Sequence, residues 1–299
     1  MNKKMILGIL FASVTSLIFA QNTALKAFVL ADTQKGNFTE VSNTVKGKLK
    51  ETGFTIVGEY TPYAGTTIII VTNPLMNAGA AKSNFGAYGA IQRVSITEIK
   101  DKIQVSYTNP VYMSHAYRMK TDYTPVLSDL KKALGFQSEY GSEKGKAPAE
   151  LAKYHYMMGM EYFSDPHLLH EYASYEEAIA AVEKGLSQKR SGISKIFRVD
   201  LKDKKESVFG VAMVGSGKDG HCQDDKFIMN EIDFKDIRSS AHLPYEMIVS
   251  GNKVYALSAR FRIAINFPDL SMAGKNSFMN IMCAPGGIKE ALEKVAGKK

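Results

Sequence analysis

Apolar residues recur at the spacing of an amphipathic helix in two stretches of the chain. The first stripe is Phe38, Val41, Val45 and Leu49, and the second is Tyr175, Ile179, Val182 and Leu186. Each stripe follows a residue type that caps helix N-termini, Asn37 in one case and Ser174 in the other. A glutamate stands three residues beyond each cap, as in a capping box. Both stretches are therefore predicted to be capped helices.

Runs of β-branched and alternating apolar residues predict strands around these helices. In the first half they are 27–30, 54–57 and 67–71, followed by a hairpin of 94–97 and 103–107. In the second half they are 196–199 and 208–214, followed by a hairpin of 244–249 and a long strand at 255–265. Lys100-Asp101 and Gly251-Asn252 supply the two hairpin turns. A further helix, closed by Gly135 or Gly297, ends each half.

The repeated order of elements predicts an α+β fold of two tandem two-layer α/β domains with mostly antiparallel sheets. The predicted domains are 24–136 and 174–299. Residues 137–173 are predicted to join them, as a polar, glycine-rich linker and then a connecting helix over 148–162. The chain would then be a pseudo-dimer within one polypeptide.

The first 20 residues have the pattern of a cleavable signal peptide. Lys3 and Lys4 precede a mainly apolar stretch at 5–19, and Ala20 offers a small residue for cleavage before Gln21. The stretch is short for a membrane span, which needs about 20 apolar residues. We therefore expect an exported protein without a transmembrane anchor after cleavage. The periplasm is the favoured location, and secretion to the outside is the alternative.

Composition narrows the classes of partner. The 299-residue chain has a formal charge of +8, which falls by two when the signal is removed, and its basic residues are scattered. A nucleic-acid-binding surface has its basic residues clustered on one face, whereas here the positive charge is modest and dispersed. We expect no nucleic-acid partner.

Two cysteines, Cys222 and Cys283, are the only ones in the chain. In an oxidising compartment an isolated pair most often forms a structural disulfide. The alternative is a metal site in which the cysteines join His221 or His242, with His155 and Met158 as further candidates, because imidazole and sulfur ligands suit copper. Methionine also fills apolar gaps, and packing is the favoured role here. No cofactor is predicted, with copper or haem as the alternatives.

Two Asn-Pro pairs, Asn73-Pro74 and Asn109-Pro110, follow predicted strands. An asparagine before proline favours extended or turn geometry, and its amide can cap backbone at a strand end. The functional alternative is a ligand pocket at the end of the sheet. Its candidate residues are Asn73, Tyr107, Asn109, Tyr112 and His115.

These signatures resemble the domain of unknown function 302 family. The likeness rests on Gly53-Phe54, Thr72-Asn73-Pro74 and the segment 105–110 with Tyr112 after it, and it covers most of 24–136. In the second half it is looser, at Leu243-Pro244-Tyr245 and around Asn266. The resemblance implies a compact α/β fold that is often paired with a second copy, and it implies no settled activity.

No paired carboxylates and no Ser-His-Asp arrangement indicate catalysis, so no catalytic residue is predicted. The favoured hypothesis is a non-enzymatic exported protein that binds a small ligand or an envelope protein between its two domains. The second is an envelope metal or redox protein that uses the cysteine pair and the His/Met cluster. The third is a hydrolase or transferase whose site the sequence conceals.

Overall fold

The computed structural model describes residues 24–215 and 220–298. The predicted signal peptide at 1–20 lies outside these residues. Within the described ranges, no helix has the length and apolar character that crossing a membrane requires.

The first half of the chain forms a six-stranded antiparallel sheet with the order β2-β3-β4-β5-β1-β6. Its strands are β1 (Phe28–Gln34), β2 (Thr55–Tyr60), β3 (Thr66–Thr72), β4 (Gln92–Ile99), β5 (Lys102–Thr108) and β6 (Ser138–Tyr140). Its helices are α1 (Phe38–Glu51), α2 (Pro74–Ala81), α3 (Pro110–Ala116) and α4 (Thr124–Leu134), and α5 (Pro148–Leu151) follows β6.

The second half forms a five-stranded antiparallel sheet with the order β7-β11-β10-β9-β8. Its strands are β7 (His167–Glu171), β8 (Ile193–Leu201), β9 (Glu206–Met213), β10 (Tyr245–Ser250) and β11 (Lys253–Ala256). Its helices are α6 (Tyr175–Ser187), α7 (Asp225–Ile232), α8 (Ala259–Asn266) and α9 (Ala284–Val295). The predicted α+β class with antiparallel sheets is confirmed.

The two sheets share one topology. Strands β7 to β11 correspond in chain order to β1, β2, β3, β4 and β5. With this correspondence, the order β8-β9-β10-β11-β7 repeats the order β2-β3-β4-β5-β1. The helices fall in matching places, so α1 and α6 follow the first strand of each sheet, and α3 and α8 follow the hairpins. β6 extends the first sheet alone.

Side-chain caps fix the start of the two amphipathic helices. The Asn37 side chain accepts hydrogen bonds from the backbone N–H groups of Thr39 and Glu40, at 2.9 and 3.1 Å. Ser174 accepts one from the N–H of Glu177 at 3.1 Å. These bonds satisfy donors that have no partner inside the helix. Both helices begin where the sequence predicts.

Both faces of the first sheet are buried. Ile69 and Val71 of β3 belong to the core under α1 and α4. Their neighbours Ile68 and Ile70 belong to a second core that continues into the other half of the chain. This alternation follows from the two-residue period of a strand. The halves therefore share a continuous apolar interior.

Two predicted connections are wrong. Within the predicted linker, Ser138–Tyr140 forms β6 and pairs with β1, and Leu25 pairs with Lys146. The predicted connecting helix is helical only over Pro148–Leu151, and Gly159 has a φ of +83°, outside the helical region. The segment contacts both halves, because Arg118 donates to the carbonyl of Ala152 at 2.9 Å and the Tyr154 hydroxyl donates to the carbonyl of Ala264 at 3.0 Å.

The long strand predicted at 255–265 is also wrong, because β11 ends at Ala256 and helix α8 follows. The alternation of apolar residues with Arg260 and Arg262 suggested a sheet with one face in water. Arg262 is instead buried together with Phe261 and Ile263. A helix buried on several sides has no amphipathic stripe for the sequence to show.

Candidate binding site between the two halves

The Asn-Pro pairs start helices. The side chain of Asn73 accepts a hydrogen bond from the N–H of Met76 at 2.9 Å, which caps α2. Asn109 accepts from the N–H groups of Val111 and Tyr112, at 3.1 and 3.4 Å, which caps α3. Proline is well suited to the first helical position because it has no N–H to satisfy. The capping interpretation describes both residues.

The other predicted pocket residues have separate surroundings. Tyr107 packs in the core under α1 and α4, and its hydroxyl donates to the carbonyl of Gly135 at 3.2 Å. Tyr112 packs in the core between the halves, and its hydroxyl donates to the carbonyl of Ile265 at 2.7 Å. His115 is half-buried in the last turn of α3. The structure does not gather these side chains in one pocket.

A buried charge cluster lies where the halves meet. Arg93 on β4 and Arg262 on α8 both form ion pairs with the Glu246 carboxylate on β10. Arg262 also donates to the carbonyl of His242 at 2.6 Å, and its guanidinium stacks on the Tyr245 ring. All three charged side chains are almost fully buried. Buried charges are tolerated when they are paired in this way, so the cluster fixes how the halves dock.

A second polar contact joins the halves at Asp225 on α7. Its carboxylate accepts hydrogen bonds from the Tyr60 hydroxyl of β2 at 2.6 Å and from the Met213 N–H at 3.0 Å. Burial, which disfavours the charged form, raises the pKa of Asp225 to about 7. Burial and the neighbouring Asp225 charge also raise the pKa of Tyr60.

Asp225 gives stability a defined pH dependence. In the unfolded chain an aspartate loses its proton near pH 4, whereas in the folded protein the raised pKa keeps it protonated up to about pH 7. Unfolding therefore releases a proton between these values, and stability falls as the pH rises from about 4 to about 7. We expect Asp225→Asn to flatten this fall, measured as the urea midpoint across that range.

The exposed Asp236 offers a control, and Asp236→Asn should keep the pH slope of the unmodified protein. An Asp225→Asn variant with an unchanged slope would show that this carboxyl does not titrate in that range.

A crevice with a volume of about 260 Å³ opens between the halves. The first half supplies Lys26 and the segment 140–143, which follows β6. The second half supplies residues from 232 to 239 after α7 and the segment 267–270 after α8, with Phe267 and Leu270 as apolar wall.

Hydrogen bonds across the interface hold the crevice walls. The Tyr140 hydroxyl donates to the carbonyl of Arg238 at 2.7 Å. Gln104 donates to the carbonyl of Asp236 at 2.7 Å and accepts from the N–H of Arg238 at 3.0 Å. The segment between α7 and β10 is thereby tied to the first sheet. The crevice is preformed rather than dependent on closure.

One crevice residue is a buried acid. The Asp233 carboxylate accepts hydrogen bonds from the Ser239 N–H at 2.7 Å and the Ser240 hydroxyl at 3.2 Å. Burial raises its pKa to about 6 despite these bonds. Lys26, Lys235, Glu143 and Asp269 add further charges to the lining. The crevice therefore offers both acidic and basic groups to a ligand.

A narrow apolar pocket with a volume of about 30 Å³ adjoins the crevice. Phe267 and Leu270 line both spaces. The rest of its lining is apolar or aromatic apart from Arg260: Tyr156, Met160, Ile263, Ala264, Met272 and Phe278. A polar groove and an apolar pocket with a common wall suit a molecule that has a polar and an apolar part.

The predicted cysteine pair is bonded. Cys222 and Cys283 form a disulfide with their Cα atoms 5.3 Å apart. The Nε2 atom of His221 lies 3.7 Å from the Cys222 sulfur and 3.9 Å from the Cys283 sulfur. These three residues form a group compact enough to hold a metal, and it does not include His155. His155 bonds the carbonyl of Met157 at 2.7 Å, and Met158 is 94% exposed.

The charge cluster was not predicted from the sequence. Arg262 alternates with apolar neighbours, which is the pattern of a strand with a solvated face, and Arg93 follows Gln92 just ahead of the predicted strand at 94–97. One sequence signal could have indicated the cluster. Glu246 is a charged residue inside the β-forming run Tyr245–Ser250, where a buried strand would need a partner for its charge.

Comparison with known proteins finds no matching family model, no matching curated protein and no matching solved structure.

Proposed function

We propose that this protein binds a small amphipathic molecule, without chemical conversion, in the crevice between its two halves. The observation that carries the proposal is the shared wall of Phe267 and Leu270, which joins a charged crevice to an apolar pocket. Concave sites with an apolar lining and a few placed polar groups are the usual form of ligand sites.

The lining indicates how such a ligand would lie. Its apolar part would pack on Phe267 and Leu270, where the crevice meets the apolar pocket, and leave water, at roughly 25 cal/mol for each Å² of apolar surface buried. Its polar part would meet Lys26 or Lys235 if it is anionic. Acidic neighbours such as Asp269 would select against a second negative charge.

The interface contacts support a site with fixed walls. Tyr140, Gln104 and Arg238 hold the two walls together in a fixed arrangement. A preformed site spends little free energy on ordering its own groups when a ligand binds. Export, a periplasmic location and membership of the domain of unknown function 302 family remain predictions that fit this role.

The test uses a named amphipathic probe, 1-anilinonaphthalene-8-sulfonate, titrated into the full chain and followed by fluorescence. We expect Leu270→Ala to weaken probe binding by about tenfold, which corresponds to about 1.4 kcal/mol. We expect Lys235→Glu to weaken it as well, because the sulfonate then faces a carboxylate.

Matched controls separate the crevice from the rest of the surface. Leu168 on β7 and Lys226 on α7 are exposed and do not line the crevice or the apolar pocket. Leu168→Ala and Lys226→Glu should bind the probe as the unmodified protein does. Equal binding by the crevice variants and their controls would refute the proposal, and circular dichroism would verify that every variant is folded.

A further inference from the structure

The two cysteines of the disulfide differ in exposure and in position relative to the neighbouring helices. Cys283 is exposed and directly precedes the twelve-residue helix α9, whereas Cys222 is 9% exposed and lies ahead of α7. The N-terminus of a helix carries a partial positive charge, which favours a thiolate there. An attacking thiol can therefore reach Cys283, and Cys222 is placed as the group that leaves.

His221 stands beside both sulfurs. Its Nε2 atom is 3.7 Å from the Cys222 sulfur and 3.9 Å from that of Cys283. The edge of its ring meets Phe227 at a centroid distance of 5.0 Å, which holds the imidazole in place. A protonated imidazole at this distance stabilises a sulfur that becomes a thiolate.

An open cleft with a volume of about 500 Å³ gives access to the pair. Both cysteines line it, together with Ser191, Gln223, Glu290 and Lys294. These side chains can hydrogen-bond an extended peptide backbone or a small polar thiol. Met279 and Met282, which precede Cys283 in the chain, are exposed as well.

Helix α9 does not depend on the disulfide for its position. Ile288, Leu292 and Val295 of α9 are buried in the core that the two halves share. Their burial holds the helix whether or not the sulfurs are bonded. The pair can therefore open without loss of the fold.

We propose that Cys222, Cys283 and His221 form a thiol–disulfide exchange centre that accepts two electrons from a dithiol. A substrate thiolate bonds to the Cys283 sulfur, the Cys222–Cys283 bond breaks, and its electron pair goes to Cys222 beside His221. The second substrate thiolate then attacks the substrate sulfur of this mixed disulfide. Cys283 leaves as a thiolate at the helix N-terminus, the substrate becomes a disulfide, and the two substrate protons pass to the protein thiols or to solvent.

The disulfide bond between the two cysteines favours thiol–disulfide exchange over metal binding. A cysteine binds a metal as a thiolate, and neither sulfur is a thiolate while the disulfide stands. The His221, Cys222 and Cys283 group also supplies three ligands, one fewer than a closed structural zinc site needs.

The experiment mixes the oxidised full chain with either glutathione or a reduced dithiol peptide, quenches with acid and follows the products by mass spectrometry. We expect a mixed disulfide on Cys283 and then the reduced protein. Faster reaction with the peptide would identify polypeptides as the substrate, and faster reaction with glutathione would identify small thiols. His221→Ala should slow the first step by about tenfold, and the control His170→Ala should leave it unchanged.

A second variant tests the attacking position without the disulfide. In Cys222→Ser the remaining Cys283 can be titrated with 5,5′-dithiobis(2-nitrobenzoic acid). The pH at which its reaction rate is half-maximal should lie below about 8.5, the pKa of a free cysteine. Resistance of the disulfide to both thiols would overturn the proposal, as would equal rates in His221→Ala and His170→Ala. Stoichiometric zinc held by the reduced protein, with no exchange, would replace it with a metal site.

Discussion

Replacing Glu246 with alanine is expected to lower the free energy of unfolding by about 3–5 kcal/mol. The substitution leaves Arg93 and Arg262 buried with no carboxylate between them. Removing one partner of a buried ion pair costs more than the pair contributes, because the remaining charge has neither water nor a counter-ion. Urea unfolding followed by circular dichroism measures the effect.

Two comparisons make this result specific. Glu59 forms a surface ion pair with Lys46 at 2.9 Å, and Glu59→Ala should cost at most about 1 kcal/mol. Replacing Arg93, Glu246 and Arg262 together with methionine should recover much of the stability lost in Glu246→Ala, because no buried charge is left unpaired. If Glu246→Ala is as mild as Glu59→Ala, the cluster does not hold the halves together.

Gly185→Ala is expected to destabilise the second half by about 1–3 kcal/mol or more. Gly185 lies on α6, and a Cβ added there would overlap the backbone carbonyl of Val295 on α9. A backbone atom cannot rotate away as a side chain can, so the two helices must move apart. The same unfolding measurement detects the loss.

Gly47 on α1 is the matched control for this substitution. It is also a glycine inside a helix, and an added Cβ meets no atom within 4 Å. Gly47→Ala should therefore stabilise the protein by up to about 1 kcal/mol, since alanine favours the helix over glycine. Opposite signs at the two positions are the expected outcome, and equal effects would contradict the close approach of α6 and α9.

Elements with local signals were predictable from the sequence. Helices α1 and α6 combine a cap with an apolar stripe, and the structure forms both caps. The hairpin turns at Lys100 and Gly251 adopt positive φ angles of 57° and 56°. The disulfide was predictable because the chain has only two cysteines and an expected oxidising location.

Elements defined by long-range contacts were not predictable. Helix α8 is buried along much of its length, so its sequence has no amphipathic helical stripe and its apolar and polar residues alternate as in a strand. Strand β6 forms because it can pair with β1 more than 100 residues earlier in the chain, and nothing in its own three residues requires a strand. Arg262 can be buried because Glu246, the carbonyl of His242 and the Tyr245 ring surround its guanidinium.

The crevice between the halves was not predictable either, because it is also formed by long-range contacts. The crevice joins Lys26, the segment 140–143 and residues beyond 232, which lie far apart in the sequence. The predicted pocket at the Asn-Pro pairs stays a prediction, and Asn73 and Asn109 have strong local roles as helix caps. A local role could be derived from the chain, whereas a surface shared by two halves could not.

Native mass spectrometry of the full chain purified from its own cells tests the central claim most directly. The account predicts that the unmodified protein and Leu168→Ala retain a small molecule of defined mass, and that Leu270→Ala loses it. A bare chain mass for the unmodified protein, with no difference between Leu270→Ala and Leu168→Ala in probe binding, would contradict the assignment of the crevice as a binding site.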